Sequence, residues 1–550
     1  MPSLAPYSQP LGREKALHLL RRATFGPKPA DVALFSQLTP QQALDQLLIP
    51  SPAPPPPLDP ANDQPWIYPP VAPGGSEDFE RRDQLFAWWL HSMHGQTLSL
   101  TERMVWFWHT HFPTIQTRIN SNVQLYFQLQ LFRHYALGDY KALTKAVCID
   151  NAMLIHLDGH LNENGSPQEN FAREFFELFT VGKGPQVGPD DYTHFTEQDV
   201  QAATRVFTGW GTDTTYTTID PLTGIPTGKL KSSNGIIASK HDASNKTFSQ
   251  AFANQIIGPT ELQGGQATLL GAQGELDLFI QMVFNSVYAA RHICRKLYRF
   301  FVYYQITPDV EQDIIVPLAQ QLINDQFQIS GVLRTLMESL HFYDLDDSQT
   351  SNDHQGALIK SPLEITLGLY RTLGLTLPQM QVGQLPLFYQ VWMGHTLSTL
   401  HGQGLDFYEP YDVAGYDPYY QFPGYNRLWI TPNNLAMRYK YGESLLVGVQ
   451  DANMNVLLQL DPVAFVQQWV SDPTNPDTLL QEILPYFIPI PLNAQRYAFF
   501  RDSVLLDTLS AINWAFEWSA YASGGPDTNV RTQLENLFRA MIQCPEFQLM

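Results

Sequence analysis

The sequence predicts an all-α fold, mainly helical throughout, with a small β insertion near residues 212–250 and a long irregular loop near residues 403–432. Three observations predict it. Apolar residues recur at helical spacing from about 76 to 209 and again from about 267 to the end. Helix-start signals precede several of these stretches: Thr39-Pro40, Ser99 with Glu102, and Ser166 with Pro167 and Glu169. Between the helical stretches the composition turns to Thr, Gly and Ser with short β-branched runs such as Tyr216-Thr217-Thr218-Ile219.

Taken in order, an opening helical pair occupies residues 1–49, its second member starting at Thr39 as N-cap with Pro40 at the first helical position. Residues 50–75 follow, opening Pro50-Ser51-Pro52-Ala53-Pro54-Pro55-Pro56-Pro57. They read as an extended linker, because proline has no backbone donor for helix or central strand. A central helical region spans 76–211. Within it Ser166, Pro167, Glu169 and a closing Gly182 predict a helix over about 167–181. The β insertion takes 212–265 and a second helical region 266–550. In the latter the Tyr- and Pro-rich stretch 403–432 fits no period and reads as an ordered loop.

A chain of 550 residues exceeds the usual size of one core. Hydrophobic residues make 44% and charged residues 16%, the latter below the roughly 25% of typical soluble domains. The net charge of −20 argues against nucleic acid or an anionic membrane as partner, since both attract clustered Lys and Arg. The one basic concentration, Arg291, His292, Arg295, Lys296 and Arg299, reads as a solvated or ion-paired helix face. Three scattered cysteines without a Cys-x-x-Cys pair indicate buried thiols. The N-terminus lacks a basic segment followed by an apolar one, and no window is apolar for about 18 residues. A cytoplasmic location without a membrane span is the default expectation, with an exported or periplasmic location as the alternative.

The chemistry-bearing residues concentrate between about 100 and 250. In Trp106-Phe107-Trp108-His109-Thr110-His111-Phe112-Pro113 the histidines are two apart, so they reach one point only if the helix has ended by His109. Pro113 makes such an exit plausible; the bland reading is one core and one surface histidine. On the 167–181 helix Glu169, Asn170, Arg173, Glu174 and Glu177 share a polar arc opposite Phe171, Phe175, Leu178 and Phe179. Ion pairing on a solvent face accounts equally well for that arc. Upstream lie His156, Asp158 and His160; downstream, Arg205 and the pair His241-Asp242 in the insertion. No Gly-rich phosphate loop, Gly-x-Ser-x-Gly elbow or His-Glu-x-x-His helix is present, so no nucleotide cofactor is indicated. His plus carboxylate is a vocabulary that suits zinc, iron or manganese.

Several segments are similar to signatures of the domain-of-unknown-function family 1800. They are His18-Leu19-Leu20-Arg21-Arg22-Ala23-Thr24-Phe25-Gly26, Phe107 to Phe112, Glu169 to Gly182, Asp199-Val200, Phe207-Thr208-Gly209-Trp210, His241-Asp242 with Lys246-Thr247-Phe248, Lys296-Leu297-Tyr298 and Lys360-Ser361-Pro362. The resemblance implies a mostly helical bacterial protein, frequently exported and often encoded beside an alkaline-phosphatase- or sulfatase-like partner; it implies no established reaction. The chain departs from the family pattern at Glu409-Pro410-Tyr411-Asp412-Val413-Ala414-Gly415-Tyr416, where Pro-Pro-Asn-Val-Ala-Gly-Trp is usual, and in having no visible export signal.

Two functions are therefore expected. The first is a metal-dependent enzyme, hydrolytic or oxygen-using, with a divalent ion on His109, His111 and Asp158, Glu174 or Glu177. In it Arg173 holds an anionic substrate group and Glu169 takes a proton, while Asn170, Arg205, His241 and Asp242 contact substrate. The second is a non-catalytic scaffold or binding protein whose aromatic 403–432 loop takes a protein partner or glycan.

Overall fold

A computed structural model of the chain describes residues 2–67, 77–348, 354–507 and 509–550. Among them the fold is mainly helical, and the β structure is confined to four two-stranded antiparallel pairs. Three of the pairs lie in the expected insertion or reach just past its two ends: Trp210–Gly211 with Lys229–Leu230, Lys246–Thr247 with Ile256–Ile257, and Leu262–Gln263 with Gln266–Ala267. The fourth, Val449–Gln450 with Val456–Leu458, was not expected, because strands of two and three residues are too short to carry a period of two.

The Thr101–His111 helix is buried along its whole length, so its sequence has no polar face to display. Its two charged residues are paired inside the protein. Glu102 accepts from Arg133 at 2.6 and 3.0 Å and from the Trp89 indole at 3.2 Å, while Arg103 is ion-paired with Glu364. Around it Trp88, Trp89, Trp106 and Trp108 are fully buried.

The helix starts divide by what competes for the capping side chain. Thr39 with Gln42 and Thr196 with Asp199 form capping boxes. Ser99 does not cap a box, because its hydroxyl donates to Ile49 O at 2.6 Å and the helix begins two residues later. Ser166 is drawn into a bridge with Glu163, so the next helix begins at Asn170, three residues after the expected start.

Within the Pro-rich segment, Pro55 O accepts from the Trp88 indole at 2.6 Å, Pro57, Trp66 and Ile67 are buried and Leu58 is half-buried; residues 68–76 lie outside the described residues. The 403–432 stretch is irregular, interrupted by a short helix at Asp417–Tyr420 and a 3-10 turn at Tyr425–Trp429. Its aromatics hold it over the Thr101–His111 helix. The Tyr416 hydroxyl accepts from Tyr408 N at 2.8 Å, Tyr419 accepts from the Trp106 indole at 2.8 Å, and Phe86 stacks on Tyr408. Among the described residues no helix is long and apolar enough to cross a membrane.

The insertion is tied to the Leu269–Phe284 helix by buried charges. Glu275 accepts from His241 Nε2 at 2.6 Å and from Lys246 Nζ at 2.7 and 2.9 Å, and all three side chains are inaccessible. Gly209 lets the insertion close on this network: its φ is +83° and a Cβ there would lie 2.9 Å from His241 N. Glu275→Gln should strand the Lys246 ammonium and cost about 3–5 kcal/mol. The midpoint of urea denaturation checks this; the double variant Glu275→Leu with Lys246→Met should recover part of the loss.

Candidate ligand-binding cleft

The site grows out of one helix end. Residues Asn170–Glu174 are α-helical and Phe175–Phe179 continue as a π turn, which ends at Thr180. Phe171, Phe175, Phe176 and Phe179 fix this helix in the core. A helix end leaves its last carbonyls without partners, and a buried end must recruit side-chain donors. Leu178 O accepts from His292 Nε2 at 2.9 Å and from Lys296 Nζ at 3.2 Å. Phe179 O accepts from the Tyr140 hydroxyl and lies 3.2 Å from His111 Nε2. His194 Nδ1 lies 2.9 Å from Gly182 O. Gly182 permits the approach, because its φ is +69° and a Cβ there would lie 2.4 Å from His292 Nδ1. The histidines serve as neutral donors: burial pushes His292 down to about 3 and His111 well below the usual imidazole range.

Lys296, Arg299 and His111 also border a narrow, partly open cleft. Its walls are the faces of Phe107, Phe300, Tyr304, Tyr419 and Trp429, the last two supplied by the 403–432 loop. At one end lies the Arg103–Glu364 pair, with the Arg103 guanidinium 4.8 Å over the Phe300 ring. Burial raises the Glu364 carboxyl, but Arg103 and the donors of Ser361 outweigh it and hold the group below its ordinary value. The Ser361–Glu364 capping box of the Pro362–Leu373 helix places that carboxylate.

Lys296 and Arg299 differ from Arg103 in having no acid of their own among the described residues. Arg299 donates to Tyr304 O at 3.3 Å and stands 5.0 Å over the Tyr425 ring. The carboxylate of Glu311, whose charge reaches Arg299, is already held at 2.5 and 2.9 Å by Arg295. Burial pushes Lys296 down to about 7, with the Arg299 charge adding to the effect. Both side chains keep partial exposure, because the cleft reaches them inside otherwise enclosing protein. A wider groove beside the Gly12–Ala23 helix is less developed chemically: its buried basic groups, His18 and Arg21, bond to the carbonyls of Phe342 and Pro485.

The structure brings few of the sequence-predicted residues together. The Thr101–His111 helix runs through His111, so the condition for His109 and His111 to share a metal fails and they face opposite sides. His109 sits in an aromatic cage, 4.3 Å from the Tyr408 ring and 3.5 Å from the Tyr416 hydroxyl, where burial pushes it down to about 3. Asp158 pairs with Arg118 at 2.7 Å, and Glu177 with Lys183 at 3.3 Å. Arg173 grips Glu197 at 2.6 and 2.8 Å and reaches Glu169 at 3.7 Å, while Asn170 is half-buried in the first turn. Arg205 and Asp242 pair with each other at 2.7 Å, and His241 belongs to the Glu275 network. Among the described residues no group of three His, Cys, Asp or Glu side chains is placed to hold a metal ion. His111 alone of the predicted set lines the cleft.

Sequence reasoning passed over Arg103, Lys296, Arg299 and Glu364 as site residues. The basic stripe it assigned to a solvated or ion-paired face turns Lys296 and Arg299 toward the cleft, and the ion-paired reading holds for Arg295. The signal for the inward turn was the neighbouring Tyr298, Phe300 and Phe301, which are buried on the same helix.

Near the rim, Glu174 is raised to about 7 by burial, and Glu177 and Asp412 add to the shift. The folded state therefore holds this proton more tightly than the unfolded chain, whose ordinary value is 4.5. The Glu174 contribution to stability falls as pH rises from 4.5 to about 7 and is fully lost above that. Glu174→Gln should match the parent near pH 4.5 and exceed it in thermal midpoint above pH 7, which a paired melting series over pH 4.5–8.5 checks.

No curated protein and no solved structure matches the chain. The family model described as protein of unknown function (DUF1800) matches residues 18–549, nearly the whole chain and well beyond the motifs near its centre. On that match, and on the ordered set of motifs whose packing is described above, the chain belongs to the DUF1800 family.

Proposed function

We propose that this protein is a binding protein whose cleft takes an anionic ligand with a flat or sugar-like body. One observation carries the reading: Lys296 and Arg299 line one cavity without a carboxylate of their own, in a chain whose net charge is −20. Other buried cations without an acid, such as Arg371 and Lys360, are held by carbonyls, whereas Lys296 and Arg299 each make one long carbonyl bond and face a shared cleft, an arrangement open to an anion supplied from outside. Arginine offers a planar fork to a carboxylate, phosphate or sulfate, and lysine adds a point charge. The aromatic faces of Phe107, Tyr304, Tyr419 and Trp429 suit the body of the ligand, and two of them come from the loop whose composition suggested glycan binding. The alkaline-phosphatase- or sulfatase-like partner implied by the family resemblance would act on esters of the same charge. This reading replaces the metal-dependent one, whose ligands the fold disperses.

Calorimetric titration with glucose 6-sulfate and with glucose tests it. The sulfate ester should bind and glucose should bind at least about tenfold more weakly, since a charge-assisted hydrogen bond is worth about 1.5–3 kcal/mol and each 1.4 kcal/mol is tenfold. Lys296→Met and Arg299→Gln should each erase most of that difference. Because an anion favours the ammonium form, affinity should be level below pH 7 and fall as Lys296 deprotonates above it, with proton uptake on binding at pH 8. Equal affinity for the two sugars, or variants that bind like the parent, would sink the proposal.

A further inference from the structure

We propose that Lys296 is also a covalent nucleophile, forming an imine with the carbonyl carbon of a small oxo acid whose carboxylate is held by Arg299. The inference rests on the anion-binding reading of the cleft and assigns it a substrate class. Its first support is position. Lys296 and Arg299 are three residues apart on the Val287–Phe301 helix, a spacing that places both side chains on one face, and both border the same cavity.

The second support is the state of the amine. Its described hydrogen bond is the single donation to Leu178 O at 3.2 Å, which leaves the nitrogen room to meet a carbonyl carbon from the cavity side. Phe107 and Phe300 flank the cavity and limit solvation, which favours the neutral amine, and the Arg299 charge favours it further. At pH 7 about half of the amine carries a lone pair.

Comparison with the other buried lysines sharpens the assignment. Lys246 is held by Glu275 at 2.7 Å as an ion pair. Lys360 donates to Phe547 O at 2.7 Å and lies 3.9 Å over the Phe547 ring, at the edge of a smaller cavity. Lys360 shares its cavity with Arg21, but Arg21 is bonded to Pro485 O and the Lys360 amine is held closer by its carbonyl than Lys296 is, at 2.7 Å against 3.2 Å.

The step balances without an oxidant or a cofactor. The neutral Nζ lone pair attacks the carbonyl carbon, the C=O π pair moves to oxygen, and that oxygen takes a proton while nitrogen gives one to cleft water. The resulting carbinolamine takes up a second proton on its hydroxyl and expels it as water, and the nitrogen lone pair completes the C=N bond. Amine plus carbonyl plus one proton taken from solvent gives protonated imine plus water.

The test is trapping with glyoxylate and cyanoborohydride on the full chain, followed by intact mass and peptide mapping. One carboxymethyl group should appear on Lys296, with a rate that rises with a midpoint near pH 7, and inorganic sulfate should suppress it. At pH 9, where Lys296 is largely neutral with or without the Arg299 charge, Arg299→Gln should slow glyoxylate labelling about tenfold or more and formaldehyde labelling much less, so that the ratio of the two rates falls. Modification spread over surface lysines with Lys296 no faster, or first modification at Lys360, would overturn the nucleophile. Labelling of Lys296 that ignores both sulfate and Arg299→Gln would overturn the oxo-acid assignment. The anion-binding reading is decided separately by the sugar titrations: glucose 6-sulfate bound but Lys296 unlabelled removes the imine alone.

Discussion

A helix that ends inside a protein has to find donors for its last carbonyls, and the end of the Phe175–Phe179 π turn is where this structure meets that demand. Leu178 O and Phe179 O are met by His292, Lys296, His111 and Tyr140 from three other helices. Those three helices are thereby brought to one point: Thr101–His111, Tyr140–Cys148 and Val287–Phe301. The separation in sequence is large, from His111 to Lys296, so this knot joins the central region to the second helical region. It also accounts for three of the family motifs together: the second histidine of one, the lysine of another and the closing glycine of a third meet at one helix end.

The same demand explains why the cleft is chemically unusual. Some charges of the core are matched by opposite ones, Glu102 with Arg133, Arg103 with Glu364, Glu275 with Lys246 and His241, while Arg21, Arg371 and Lys360 are held by backbone carbonyls. Lys296 belongs with the second set, and its carbonyl partner satisfies a donor without neutralising a charge, but it also borders the open cleft. A lysine held this way gains a hydrogen bond in either protonation state, so burial can depress its proton affinity without detaching it from the helix end. Structure and reactivity therefore do not compete at this residue.

Much of the architecture was legible in the sequence, and the failures have a common cause. Thr39 and Thr196 announced helices because their capping partners lie three residues away. Ser99 and Ser166 carried the same signal but found partners elsewhere, Ile49 O and the Glu163 bridge, which local spacing does not contain. Pro113 correctly marked the end of a helix, yet it could not say whether the last turn stops before His109 or after His111, and the metal reading hung on that choice. The basic stripe is the sharpest case. Residues 291, 295 and 299 and residues 292 and 296 share a helical period whether they face water or a cavity, and only the elements packed against them decide. Arg295 meets Glu311, Lys296 meets a helix end, and Arg299 meets the aromatic loop.

The loop at 403–432 turns these separate facts into a site. Without it, Lys296 and Arg299 would stand at a helix surface, where water and salt screen isolated charges and surface pairing is worth little. Tyr419 and Trp429 cover that surface with apolar faces, and Tyr419 is itself anchored by Trp106 on a helix buried along its whole length. The covered volume is partly desolvated, so a charge placed there interacts more strongly than it would outside. Glu409 to Tyr416, where the chain departs from the pattern the resemblance implies, lie in the same loop but outside the lining of the cleft, to which the loop contributes from Pro418 onward. Tyr416 stands where tryptophan is usual and spends its hydroxyl on Tyr408 N, fixing the loop's return, while Glu409 accepts from Thr117 N at 2.9 Å. These residues set the course of the loop from a distance, and the faces that meet the cleft are those of Tyr419 and Trp429.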